Sequence, residues 1–168
     1  IQYLTFTEGS QLQTIERYAF QSCSSLQEVI LPEGQTTIGY AAFDLCTSVK
    51  RVYMPNSVTS LAAYAFASEY SLESIRFSDA LTELIEWVCT EAHSLKEIQF
   101  PVNVTRICHD AFYNTYNLHE VTFPSSLTEI DYNAFRYSAL DSVALPINLQ
   151  WLGTDAFSNN SSLKYIDS

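Results

Sequence analysis

The chain repeats itself every 23 residues, and a period of that length dictates a stack of like units. The dipeptide Ala-Phe stands at Ala19-Phe20, Ala42-Phe43, Ala65-Phe66, Ala111-Phe112, Ala134-Phe135 and Ala156-Phe157. Copies follow at 23 residues, or 22 at the last step, and Val88-Cys89 fills the register where the pair is missing. A second series keeps time with the first: Leu26, Val49, Leu72, Leu95, Leu118, Leu140 and Leu163 each precede by three residues Val29, Val52, Ile75, Ile98, Val121, Val143 and Ile166. Two positions on come Leu31, Met54, Phe77, Phe100, Phe123 and Leu145, followed by Pro32, Pro55, Pro101, Pro124 and Pro146, with Ser78 in place of one proline. A third apolar series runs Ile15, Ile38, Leu61, Leu84, Ile107, Ile130 and Leu152.

Each unit has a physical reading. In Leu26-x-x-Val29-x-Leu31-Pro32 the alternation of apolar and variable residues predicts a short strand. Pro32 has no N–H for a ladder and ends it. The chain then turns to bring Ile38 inward, and the segment Gly39–Cys46 reads as a short helical turn in which Ala42 allows close approach and Phe43 fills the interior. One unit cannot bury its apolar face alone, but stacked copies can. The expected architecture is an α/β solenoid of about seven repeats, with a parallel β-sheet on one face, short helical or irregular segments on the other, and a continuous phenylalanine spine. At ~4.8 Å per strand, seven coils span roughly 30 Å. Residues 1–168 form one domain on this reading. Both ends lie in the repeat register with no polar capping unit, which points to a segment of a longer array or to end-to-end self-association.

Composition narrows the partners. A net charge of −11 repels nucleic acid and anionic membrane surfaces, although its simplest role is solubility. No stretch approaches the ~20 apolar residues of a membrane span, so direct membrane insertion is not expected. The start, Ile1-Gln2-Tyr3, carries no signal region. Cys23, Cys46, Cys89 and Cys108 form no metal-ligand spacing and neither demand nor exclude an oxidising compartment.

The pattern Ile38-Gly39-x-x-Ala42-Phe43-x-x-Cys46-x-Ser48-Val49-x-x-Val52-x-Met54-Pro55 resembles the BspA-type leucine-rich repeat family, and the similarity covers about Leu12 to Ile166. The resemblance implies a right-handed leucine-rich repeat superhelix, a surface or secreted location, and adhesion to host matrix proteins or other cells. It brings no catalytic residues. Departures are local: the fourth repeat lacks both its proline and its Ala-Phe pair, the sixth is one residue short before Leu140, and the first strand, near Leu4-Thr5-Phe6, is followed by two extra residues before Ile15.

A partner is expected on the sheet face, where the residues flanking each inward strand position point outward. These are Glu28 and Ile30, Arg51 and Tyr53, Ser74 and Arg76, Glu97 and Gln99, Glu120 and Thr122, then Ser142 and Ala144. They vary while the inward positions stay apolar, as a fixed scaffold with a variable surface requires. Four of the eight basic residues, Lys50, Arg51, Arg76 and Lys96, fall on or beside this face in three adjacent repeats, with Tyr53 next to Arg76. The cluster reads either as a basic–aromatic patch for an acidic loop or anionic glycan, or as cross-strand charge balance with Glu28, Glu73 and Glu97. Trp87, beside the degenerate Val88-Cys89, reads either as local repacking for the missing phenyl ring or as an exposed anchor at a kink.

Catalytic and metal chemistry find no support. Cys108-His109-Asp110 holds the letters of a thiol-protease site, but neighbours along one coil cannot converge as nucleophile, base and orienter. Cys108 sits next to inward Ile107 and is expected to be a structural thiol. His93, His109 and His119 lie at unlike registers, so no histidine ladder binds metal, and no cofactor is expected. Cys23 and Cys46 stand at equivalent positions of adjacent coils with side chains too parallel for a good disulfide, and both are expected to be reduced. Asn103, Asn159 and Asn160 head glycosylation acceptor patterns that matter only in a secreted eukaryotic protein. The expected function is a non-enzymatic module binding a protein or glycoprotein at a cell surface or outside the cell. The alternative is an architectural stalk that presents another domain, with an enzyme accessory domain a distant third.

Overall fold

Where the predicted strands form, an inward aliphatic residue stands at the centre of each, as Val29, Val52, Ile75, Ile98, Val143 and Ile166 do. The computed structural model describes residues 1–7 and 9–167. Strands of two and three residues alternate along the chain: β1 (Thr14–Ile15), β2 (Glu28–Ile30), β3 (Thr37–Ile38), β4 (Arg51–Tyr53), β5 (Ser60–Leu61), β6 (Ser74–Arg76) and β7 (Glu83–Leu84). They continue as β8 (Glu97–Gln99), β9 (Arg106–Ile107), β10 (Glu129–Ile130), β11 (Ser142–Ala144), β12 (Trp151–Leu152) and β13 (Tyr165–Asp167). The seven two-residue strands mark seven coils.

All pairings are parallel and couple a residue to its equivalent one repeat away. The three-residue strands build one face, in the order β2-β4-β6-β8 and then β11-β13. The two-residue strands build a second face that the sequence reading did not anticipate, as β1-β3-β5 and β7-β9-β10-β12. The first predicted strand, at residues 4–6, is not formed; Leu4 and Phe6 pack half-buried against the core.

The third side corrects the expected helical segment, and the chain is a β-solenoid with no helix among the described residues. Gly39–Cys46 is a string of tight turns. Ala42, Asp44 and Cys46 donate their N–H three residues back, to Gly39, Ala41 and Phe43, while Ala41, Phe43 and Leu45 donate to Ala63, Ala65 and Ala67 of the next coil. Two left-handed residues per coil make this possible, here Ala41 (φ 50°) and Leu45 (φ 61°). Spacing explains the choice. Packed helices need about 8–10 Å, whereas strands stack at about 4.8 Å. A turn string bonded coil to coil matches the strand spacing; a helix would pry the coils apart. Gly39 sits at one of two very close approaches, where a Cβ would lie 2.6 Å from the Arg17 nitrogen; the other is Gly153, 2.3 Å from the Tyr132 nitrogen.

The phenylalanine spine forms in two runs. Phe20, Phe43 and Phe66 stack at 5.1 and 5.3 Å, and Phe112, Phe135 and Phe157 at 5.2 and 5.5 Å. Cys89 interrupts them. Its missing ring is replaced from the strand side, by Phe77 and Phe100 packed edge-on against Phe112 at 6.2 and 5.9 Å. Trp87 plays no part in that repair.

Both sheets open where the repeat is irregular. No ladder joins β5 to β7, and a notch of about 230 Å³ lies there, bordered by Leu61, Leu81 and Ile85. In the fifth coil residues 120–122 form no strand, so β8 and β11 are not bridged. Phe100 and Phe123 occupy the strand-end positions there, both half-buried, and Val121 is half-buried where Val29 and Val52 are fully so.

Inside the stack, the register of Cys23 and Cys46 continues as Glu69, Ala92, Thr115, Ser138 and Asn160. Its polar members serve turn carbonyls and each other: Asn160 donates to Phe135 and Phe157, and Thr115 lies 2.7 Å from Ser138. Asn160 is therefore buried and committed, which removes one of the three glycosylation patterns. Glu69 is the outlier. It is fully buried, accepts one bond from the Cys46 N–H through Oε1, and leaves Oε2 without a partner among the described residues. Burial, only partly offset by that bond, pushes its carboxyl up to about 10. Folding therefore takes up a proton at neutral pH. Stability is fully present below the unfolded value near 4.5 and declines as pH rises toward 10. Glu69→Gln should stabilise the protein by on the order of 1–2 kcal/mol at pH 8, with the gain fading by pH 5 in thermal melts. An equal gain at both pH values would assign the effect to packing instead of ionisation.

Candidate functional site

The strand pairing brings the predicted sheet-face residues into two columns. Glu28, Arg51, Ser74 and Glu97 align in one; Ile30, Tyr53, Arg76 and Gln99 align in the other. Two shallow hollows lie over them. One of about 360 Å³ is bordered by Lys50, Arg51, Glu73, Lys96 and Glu97, and one of about 380 Å³ by Ile30, Tyr53, Arg76 and Gln99. Ile30 is 54% exposed and Tyr53 43% exposed, large apolar areas to leave in water beside a charged cluster. Glu120 and Thr122 do not join this surface as strand residues: they are exposed, but their segment carries no ladder, so the continuous face ends at β8.

Charge balance accounts for most of the basic cluster. Arg51 pairs with Glu28, and Lys96 with Glu73 at 3.2 Å, each across one coil step. Arg76 donates to the Met54 carbonyl at 2.6 Å and to Asn56 and Asp79. Its guanidinium lies 4.9 Å from the centre of the Tyr53 ring. These contacts hold Arg76 and Tyr53 in one geometry and lower the ordering cost of any contact made to them. Among the described residues Lys50 has no carboxylate partner.

Trp87 lies elsewhere, half-buried on the corner that follows the two-residue strands. There the structure assembles an aromatic column that the sequence reading missed. Tyr18, Tyr40, Tyr64, Trp87, His109 and Tyr132 contact one another in succession, with ring centres 5.6, 5.5, 4.9, 4.5 and 4.6 Å apart. A shorter column, Tyr70, His93 and Tyr116, stands on the next corner with both steps at 4.9 Å. No single register contains the long column. Tyr18, Tyr64 and Trp87 lie two residues before the spine position, Tyr40, His109 and Tyr132 three before it. Reading those two positions together would have found one ring per coil. Trp87 thus spans the broken second sheet by stacking on Tyr64.

The three buried thiols are poor nucleophiles. Burial pushes Cys108 up to about 11 despite the nearby Arg106 guanidinium, Cys46 to about 12, and Cys89 well above the usual thiol range. His109 turns to Asp110 at 3.2 Å and to its aromatic neighbours, so the Cys108-His109-Asp110 run assembles no triad. All four cysteines are free, and no group of three or more candidate ligands converges on a metal position among the described residues. In the native protein a bulky thiol reagent should modify half-buried Cys23 promptly and Cys46, Cys89 and Cys108 only on unfolding. Rapid native labelling of Cys108 would restore it as a reactive group.

The sequence profile of the BspA type leucine-rich repeat region matches residues 1–108 and 85–168, in six copies. No curated protein matches the chain. Among solved structures, a leucine-rich repeat protein from Bacteroides ovatus is 25% identical with a TM-score of 0.82, over 92% of this chain and 46% of its own. The T. pallidum leucine-rich repeat protein is 28% identical with a TM-score of 0.63, over 98% of this chain and 67% of its own. A leucine-rich cell surface protein from Faecalibacterium prausnitzii shares the fold at 17% identity and a TM-score of 0.58, over 99% of this chain and 73% of its own. This chain therefore spans less than half the length of the Bacteroides protein.

Proposed function

The chain belongs to the BspA-type leucine-rich repeat family, and from that premise we propose that it is a protein-recognition module of a cell-surface or secreted protein, binding through the β2-β4-β6-β8 face. The observation that carries this reading is the exposed Ile30–Tyr53–Arg76 column, rigidly held above a hollow in an otherwise acidic molecule. Tyr and Arg dominate binding hot spots because each combines large area with directional polar groups. The fitting partner is a protein or glycoprotein loop that places an apolar side chain over Tyr53 and a carboxylate toward Lys50 and Arg51. Host matrix proteins and the surfaces of other cells supply such loops. The surface location rests on the family and on neighbours such as the Faecalibacterium cell surface protein.

The internal ion pairs favour a second reading, an architectural spacer whose face charges only neutralise one another. Charge reversal separates the two. Against immobilised matrix proteins and cell-surface glycoproteins, Arg51→Glu with Arg76→Glu, and separately Tyr53→Ser, should weaken binding by about thirtyfold or more while the protein still unfolds in one cooperative thermal transition. A spacer would show no binding, or binding indifferent to all three substitutions.

A further inference from the structure

The long aromatic column is a surface with its own electrostatic character, and it lies away from the sheet face. Its rungs are not hidden: Tyr18, Tyr40 and Tyr132 are exposed, and Tyr64, Trp87 and His109 are half-buried. Carboxylates flank the middle rungs. Asp44, Asp110 and Glu86 all act on the Tyr64 hydroxyl, and Asp110, Asp131 and Glu86 on that of Tyr132; after desolvation, their negative field raises both hydroxyls above the ordinary tyrosine range. Among the described residues no basic side chain pairs with Glu86, Asp110 meets only His109, and Asp44 takes only a bond from Gln21. Asp131 by contrast is neutralised by Arg106 at 2.8 Å.

Three of the protein's exposed tyrosines carry an arginine of the chain itself. Arg17 lies 4.8 Å from the Tyr18 ring centre, Arg76 4.9 Å from Tyr53 and Arg136 5.1 Å from Tyr137. The stretch Tyr40–Tyr64–Trp87–His109 has rings and carboxylates, but among the described residues no lysine or arginine pairs with Glu86 or Asp110 and no arginine lies over these rings. We propose that this stretch, with Glu86 and Asp110, is a second binding surface, which receives an extended, basic segment of a partner protein laid across the coils. The aliphatic stems of its Arg or Lys side chains pack on the rings, and their heads meet Glu86 and Asp110. Charge sets the choice of occupant: the chain carries −11, and the arginines nearest the column stand at its two ends, Arg17 over Tyr18 and Arg106 committed to Asp131, which leaves Glu86 and Asp110 in the middle to attract cations. The surface is independent of the one proposed above, and either can fail without the other.

Trp151→Phe leaves Trp87 as the only tryptophan and gives a direct probe. Titration with a synthetic peptide of alternating Arg and Thr should quench Trp87 fluorescence at low salt, and salt should weaken the binding. A peptide of alternating Glu and Thr should have no effect. The near-isosteric pair Glu86→Gln with Asp110→Asn should weaken binding about three- to tenfold without moving the melting temperature, and Arg51→Glu with Arg76→Glu should leave it unweakened. The proposal is overturned by absence of quenching, by equal response to the acidic peptide, or by binding that ignores Glu86→Gln with Asp110→Asn. It is also overturned if sedimentation shows a dimer disrupted by either charge pair, which would make the occupant a second copy of this chain.

Discussion

Everything in this molecule depends on backbone hydrogen bonds that run from one coil to its neighbour. Strand residues make them on two sides and the turn string makes them on the third, with alternate N–H groups of residues 41–45 directed at residues 63–67. Bonding equivalent residues forces equivalent side chains into columns. The phenylalanine spine, the aliphatic strand interior, the polar register through Glu69 and Asn160, and the surface tyrosines are all consequences of that single constraint. A departure in one coil is therefore felt by its neighbours, as when Cys89 removes a ring and Phe77 and Phe100 close over the gap.

The columns also explain how charge and strain are distributed. An in-register stack places like residues ~5 Å apart, so a run of one sign along a column is costly and opposite signs in adjacent coils relieve it. The sheet face follows that rule in Arg51 with Glu28 and Lys96 with Glu73. The aromatic corner follows it only in part: Arg106 neutralises Asp131, while among the described residues no lysine or arginine pairs with Glu86 or Asp110. The left-handed residues follow the same logic. Tyr18, Tyr64 and Trp87 adopt a conformation uncommon for bulky side chains, and the coil-to-coil bonding at each corner holds them there.

Much of the fold was legible because burial imposes a period on the sequence. The spine, the strand positions of β2, β4, β6 and β8, and the degenerate fourth repeat could all be read from spacing alone. Two features could not. The second set of strands has only one apolar position per coil, at Ile38 and its equivalents, which is too short for an alternation to show. The turn string looks like a helical turn because Ala and Phe suit both; the difference lies in hydrogen-bond partners more than twenty residues away. The sheet-face columns at Arg51, Tyr53 and Arg76 were legible for the same reason as the strands. Glu120 and Thr122 matched the pattern, yet their segment carries no ladder, a loss of coil-to-coil pairing that no residue at those positions announces.

Sequence alone determined that this chain stacks, how many coils it has, and which side chains face inward, because water excludes apolar residues at a fixed period and the count survives in the order of letters. Tertiary structure alone decided which carbonyl each turn N–H would find, and hence that the third side is turns instead of helix. It also decided that rings from two neighbouring registers would merge into one outer column. Both depend on the closeness of adjacent coils, a distance no local pattern encodes.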